Sequence, residues 1–192
     1  MAYTIATIIF VLDQVTKALV EAHIPYSSHV TLSDGFFHLV NTRNTGAAWS
    51  LFSDLTFSRL LLSAVSLAAA WLIAVAIQKA KSKSGMILLG IVLGGTVGNM
   101  VDRIRLGYVT DFFSFTFGKY AFPAFNVADM AITLGALIIV IKAIADRGFI
   151  DKLFPWLDKT PAEKRTVGLD ETIREALEAI DEERDHDEKS DG

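Results

Sequence analysis

The chain has 192 residues, a mean hydropathy of +0.39, 52% hydrophobic and 21% charged residues, and no cysteine. Residues 1–150 carry 11 Lys/Arg and 8 Asp/Glu, whereas residues 151–192 carry 7 Lys/Arg and 14 Asp/Glu, so a weakly basic, apolar body precedes an acidic tail. So few charges exclude an ordinary soluble domain and indicate a polytopic membrane protein. The missing cysteine excludes a disulfide scaffold, a thiol nucleophile and a cysteine zinc site. His23, His29, His38 and His186 form no H-E-x-x-H pair, and no basic patch interleaved with aromatics suggests nucleic acid.

A bilayer core about 30 Å thick needs roughly 20 apolar residues at ~1.5 Å rise each. The first candidate span, Ala2–Ala22, is apolar through Leu12 and then carries Asp13 and Lys17. A cleaved signal peptide would begin with a basic stretch and would not place those charges at its cleavage site, so this segment reads as a retained span. Val30-Thr31-Leu32, Ser33-Asp34-Gly35 and Phe36–Val40 then read as strand, Asp-Gly turn, strand. Asn44-Thr45-Gly46 marks a second turn ahead of Ala47-Ala48-Trp49. The second span is Phe57–Gln78, uncharged over Leu60–Ile77.

Lys79-Ala80-Lys81-Ser82-Lys83 follows, and short Lys-rich loops stay cytoplasmic. Both termini are then expected inside, with segments 23–56 and 102–124 outside. Arg59, Arg103 and Arg105 near the outer ends weigh weakly against this. The third span, Ser84–Val101, carries Gly90, Gly94 and Gly98, a small-residue stripe suited to close helix approach. Phe112, Phe113, Phe115, Phe117, Tyr120, Phe122 and Phe125 crowd the second outer segment, as aromatics do at a membrane interface. The fourth span runs from about Phe125 to Ala145, with Asp129 near its start and Lys142 near its end.

Beyond it, Phe154, Pro155 and Trp156 suit an interfacial stop. Asp170–Arg184 is patterned as a surface helix with Ile173, Leu177 and Ile180 on one face, and residues 185–192 read as disordered. The expected fold is therefore an all-α polytopic membrane protein of four transmembrane helices (residues 1–150) with a small outer β-sheet. Residues 151–192 form its acidic cytoplasmic tail.

Charged groups at membrane depth are costly and are functional suspects by default. Asp13 and Lys17 are spaced as an i, i+4 pair. Gly95, Asn99 and Asp102 share a helical face, and Asp102 adjoins Arg103 as an expected compensating cation. Asn126 and Asp129 lie three apart at the start of the last span, and Asp111 sits 18 residues before Asp129 among apolar neighbours. Two carboxylates sharing a proton can activate a water and protonate a leaving amine, with Asn side chains orienting the pair. On residue pattern alone, an aspartyl hydrolase stands beside a proton-coupled transporter. The transporter is disfavoured by four spans without inverted repeats.

Four segments together resemble the boxes of the bacterial lipoprotein signal peptidases, the signal peptidase II family. They are Asp13-Gln14-Val15-Thr16-Lys17; Asn44-Thr45-Gly46-Ala47-Ala48-Trp49; Gly94-Gly95-Thr96-Val97-Gly98-Asn99-Met100-Val101-Asp102-Arg103 with Val109-Thr110-Asp111-Phe112; and Phe122-Pro123-Ala124-Phe125-Asn126-Val127-Ala128-Asp129. The resemblance covers about residues 3–145. It implies an aspartyl endopeptidase of the inner membrane that cleaves prolipoproteins just before a diacylglyceryl-modified cysteine, without metal or cofactor. Asp111 and Asp129 would be the catalytic pair. Asn44, Gly95, Asn99, Arg103 and Asn126 would position the site and substrate, and Asp13, Lys17 and Asp102 would brace it. The outer sheet would be the family's substrate cradle, the expected partners are the prolipoprotein and membrane lipid, and the protein itself is expected to be a monomer. Met130 stands where Ser or Thr is common in the family, Thr110 and Phe113 depart slightly around Asp111, and the acidic tail is longer than usual.

Overall fold

The structure is a computed structural model that describes residues 1–46, 55–146 and 148–157. The chain divides into two compact units, Met1–Pro155 and Trp156–Gly192. The acidic surface helix, the disordered end and the Ala47-Ala48-Trp49 segment expected from sequence lie outside the described residues.

The first unit opens with α1 (Ala2–His23), followed by β1 (His29–Ser33) and β2 (Phe37–Asn44). Then come α2 (Leu55–Lys79), α3 (Lys83–Arg105), β3 (Val109–Phe117), β4 (Tyr120–Ala121), α4 (Val127–Ala145) and a short α5 (Phe149–Leu153). Among the described residues, three helices are long and apolar enough to cross a membrane: α2 from Arg59 to Lys79, α3 and α4. Their outward faces are apolar and exposed, with Leu60, Trp71, Leu137 and Ile141 examples. That is the inverse of a soluble protein and the expected state of surfaces solvated by lipid.

Helix α3 packs against α1, α2 and α4. Its glycines explain how. A Cβ on Gly90 would stand 2.5 Å from Ala2 O, and one on Gly94 would stand 2.5 Å from Ala6 O. Gly98 faces Asp13 of α1 just as closely, while Gly95 faces the backbone of Ala128 in α4. Without side chains, α3 lets backbones touch on two sides, which matters because lipid gives apolar surfaces little reason to associate. On α1 the buried positions Ala2, Ala6, Asp13, Lys17 and Val20 form one stripe, so both charges face protein.

Local chemistry sets the helix ends. Ser82 caps α3 by accepting from Gly85 N at 3.1 Å. At the other end of α3, the Arg59 guanidinium of α2 donates to the carbonyls of Arg103 and Ile104, satisfying acceptors that the helix leaves unpaired. Sequence reading did not anticipate α5. Its Leu153 is fully buried against Gly85, and Lys81 N donates to Lys152 O at 2.7 Å.

The sheet is larger than the expected hairpin. Phe37–Asn44 extends four residues past the expected end, so Asn44 belongs to a strand, and the turn lies at Gly46, whose φ is +77°. The segment after α3 is not an aromatic loop: it forms β3 and β4, giving an antiparallel sheet of order β1-β2-β3-β4. In retrospect the alternation Phe113-Ser114-Phe115-Thr116-Phe117 followed by Gly118 is a strand and turn signal. Stacked rings of Phe37, Phe115 and Phe125 line one face of the sheet.

The close approach of α1 to α3 yields a test. Gly94→Ala should lower the thermal unfolding midpoint in detergent by several degrees, because its new methyl group meets backbone rather than a mobile side chain. Gly148→Ala, where a Cβ meets nothing closer than 3.5 Å, should leave the midpoint unchanged.

Candidate active site

The polar residues converge on the N-terminus of α4, whose first backbone N–H groups have no partner within the helix. Asn126 is the N-cap. Its Oδ1 accepts from Asp129 N at 2.9 Å, and Asp129 Oδ2 accepts from Asn126 N at 3.2 Å, a reciprocal capping box. A further N–H, that of Ala128, donates to Asp13 Oδ1 at 2.9 Å. Asp13 therefore caps a helix from more than a hundred residues away and is itself fully buried.

Lys17 lies one turn along α1 from Asp13. Its ammonium is 2.8 Å from Asp13 Oδ2 and 2.8 Å from Asp102 Oδ2, the latter contact being an ion pair off the angle of a hydrogen bond. It also donates to Asn99 Oδ1 at 2.9 Å. Gln14 completes the cluster, donating to Asp102 Oδ1 at 2.9 Å and more weakly to Asp13. The expected pairing of Asp102 with its neighbour Arg103 is thus corrected. Successive helical residues point about 100° apart, and the cation that meets Asp102 is Lys17 of α1. Arg103 instead turns toward Ser66 of α2 and its own helix, at 3.5 Å from Ser66 Oγ and from Asn99 O. Its charge lies within electrostatic reach of Asp129, Asp111 and Asp102.

Asp111 arrives on β3 rather than in a loop. Thr42 is its cross-strand neighbour in β2, and Asn44, two residues further, reaches diagonally to donate to Asp111 Oδ2 at 3.0 Å. Phe112 N and Phe113 N both donate to Phe125 O, and Phe125 N donates back to Phe113 O. This backbone pairing sets the residue before the α4 cap directly beside the strand that carries Asp111. Asn126 Nδ2 then donates to Asp111 Oδ1 at 2.7 Å. Asn99 Nδ2 donates to Asp129 Oδ1, also at 2.7 Å. Burial, then the charge of Asp129, pushes the Asp111 carboxyl up from 3.8 to about 6, against the opposing effects of Asn44, Asn126 and Lys17.

The structure therefore gathers Asp13, Lys17, Asn44, Asn99, Asp102, Asp111, Asn126 and Asp129 into one hydrogen-bonded network, with Arg103 within its field. Gly95 makes no polar contact of this kind; it lets α3 and α4 approach. Sequence reasoning passed over Gln14, and also Asn41, which is buried and donates to Ile24 O at 2.7 Å to tie β2 to the end of α1. Gln14 stood in the first quoted box without a role, and Asn41 was one of several polar residues at the end of its strand, so neither carried a signal of its own. Beside Asp129, a groove of about 330 Å³ is lined by Phe122, Phe125, Met130, Thr133 and Leu134.

A family model described as Signal peptidase (SPase) II matches residues 5–145. The chain belongs to the signal peptidase II family. It is similar to the lipoprotein signal peptidase of Tolumonas auensis, with 40% identity over 152 residues, 77% of this chain and 89% of that one. The lipoprotein signal peptidase of Maridesulfovibrio salexigens is 39% identical over 146 residues, 74% of this chain and 94% of that one. A bacterial membrane enzyme solved at 1.9 Å by the in meso method superposes with a TM-score of 0.69 at 25% identity, covering 76% of this chain and 93% of that one. The signal peptidase II match takes in the converging residues from Asp13 to Asp129 and stops at the end of α4.

Because Asp13 both caps α4 and pairs with Lys17, its loss leaves a helix end and a buried ammonium poorly satisfied. Asp13→Ala should cost about 3 kcal/mol of stability. The check is thermal or denaturant unfolding in detergent beside an exposed control such as Asp34→Ala.

Proposed function

We propose that this signal peptidase II family member is an aspartyl endopeptidase that removes the signal peptide from diacylglyceryl-modified prolipoproteins, with Asp111 and Asp129 as the reacting pair. The observation that carries the reading is Asn126, one residue that binds both carboxyls: its Nδ2 donates to Asp111 Oδ1 and its backbone N–H donates to Asp129 Oδ2, while its Oδ1 accepts from Asp129 N. The pair stands on two rigid supports, a paired strand and a capped helix start, as a preorganised site requires. The apolar groove beside Asp129 suits the hydrophobic stretch of a signal peptide or the acyl chains of its lipid.

In this mechanism the ionised member of the pair takes a proton from water as the oxygen attacks the scissile carbonyl carbon. The protonated member shields the developing oxyanion and then donates its proton to the leaving nitrogen as the carbon–nitrogen bond breaks. The elevated Asp111 carboxyl is suited to carry that proton near neutral pH. Arg103, within electrostatic reach of both Asp129 and Asp111, offsets the negative charge of the pair.

The same proposal makes α1 a fourth span. Its 22 residues reach about 33 Å. Ile8, Val11, Leu12, Val15 and Leu19 are exposed for lipid, while Asp13 and Lys17 turn inward. The Lys-rich turn at 79–83 sets the orientation, with termini in the cytoplasm and the sheet and site at the outer face of the inner membrane.

Two measurements test this. Incubated with a diacylglyceryl-modified prolipoprotein, Asp111→Asn and Asp129→Asn should each lose signal-peptide release while remaining folded and binding substrate. A fully active Asp111→Asn would overturn the pairing. For topology, single-cysteine probes at Ser28 and Ser82 in intact cells should react with an impermeant thiol reagent at Ser28 only.

The Asp111 carboxyl also predicts a stability signature. Its folded value is raised, so its contribution is full below the unfolded pKa and is lost as pH rises through about 6. The stability of Asp111→Asn relative to the parent should therefore rise between pH 4 and 7, by a total of about 3 kcal/mol at ~1.36 kcal/mol per pKa unit. Unfolding midpoints measured across that range read it directly.

A further inference from the structure

Reading Asp111 and Asp129 as the reacting pair leaves open what Lys17 does. It is buried, yet its partners are Asp13, Asp102 and Asn99 rather than either member of the pair. An ammonium is a donor only, so the Asn99 atom facing it must be the carbonyl oxygen. The Asn99 NH2 group is thereby turned to Asp129, 2.7 Å away. Asn126 is fixed in the same manner, because the Asp129 backbone N–H is also a donor only and demands Oδ1. Its NH2 group then meets Asp111 Oδ1 and, at 3.2 Å, Asn99 Oδ1. A flipped Asn99 would set N–H groups against two donors and a carbonyl against a carboxylate. Lys17 is itself pinned by two carboxylates at 2.8 Å.

We propose that Lys17 is a positioning residue for the cleavage reaction: by dictating the direction of the Asn99 amide, it holds a donor on Asp129 and so fixes that carboxylate relative to Asp111. The inference rests on the reading of Asp111 and Asp129 as the reacting groups. It differs from a simple bracing role, in which Lys17 would matter only through the folded fraction.

The experiment is a double-mutant cycle on purified full-length protein in detergent, with a diacylglyceryl-modified prolipoprotein as substrate and rates expressed per folded enzyme. Lys17→Met should lower kcat about tenfold, the usual scale for loss of an orienting partner. KM should change less than about threefold, since the pair rather than the groove is disturbed. In an Asn99→Ala background, Lys17→Met should cost less than about twofold, because no amide remains to orient. Losses that simply multiply would overturn the proposal, as would an unchanged kcat in Lys17→Met.

A second arm does not depend on Lys17→Met folding. Asn99→Asp keeps an acceptor for Lys17 and Asn126 but presents Asp129 with a carboxylate instead of a donor. It should lower kcat at neutral pH at least as far as Asn99→Ala, whose loss is expected to be about tenfold and so still measurable, and parental turnover would sink the idea. Asp129→Asn is the reference: if it cleaves normally, the reading of the pair fails. An inactive Asp129→Asn beside multiplicative Lys17 and Asn99 losses defeats only the role given to Lys17.

Discussion

One buried ammonium organises this protein. Lys17 meets Asp13 on its own helix and Asp102 and Asn99 on α3, and Asp13 reaches onward to the first turn of α4. Three helices are thus joined through a single cation. In a bilayer the alternative partners for these groups are absent, so an ion that leaves the cluster has nowhere favourable to go. The cluster cannot be treated as a set of independent pairs. Removing any member exposes the others, which is why single deletions at such sites measure the penalty of an orphaned charge more than the worth of a contact.

Close packing makes that cluster possible. Gly90, Gly94 and Gly98 bring α1 against α3, and Gly95 brings α4 against α3 on another side. Were those helices separated by ordinary side chains, Lys17 could not span from Asp13 to Asp102. The glycine stripe and the ion cluster are therefore one device. Small residues set the distance, and polar groups then supply the directional interactions that lipid does not weaken by competition.

The antiparallel sheet has a comparable part in the site. Strand β3 pairs with β2 on one side, and its backbone also bonds to Phe125 just before the α4 cap. These hydrogen bonds fix where Asp111 stands relative to Asp129 to a precision that a loop would not provide. The Arg43 guanidinium, held between the rings of Tyr26 and Tyr108, further ties β2 to the chain after α1 and to the start of β3. Asn44 follows Arg43 directly, so this clamp also steadies a donor to Asp111.

Much of this was legible in the sequence. Length and periodicity gave the apolar helices, because lipid exposure demands long uncharged runs that nothing else in a small protein needs. Rarity of charge at membrane depth marked Asp13, Lys17 and Asp129, the helical face shared with Asn99 marked Asp102, the apolar neighbours of Asp111 marked that residue, and the spacing of Gly90, Gly94 and Gly98 marked a packing face. The assignment of Arg103 to Asp102 failed because adjacency along a chain says nothing about partners on another helix. The strand character of Val109–Phe117 was hidden by the density of its aromatics, which fits an interfacial loop equally well. Only the tertiary structure decided which cation met which acid, which amide faced which carboxylate, and how Asp111 came to lie beside Asp129. Those are matters of direction and of distance across elements, and a linear order of residue types carries neither.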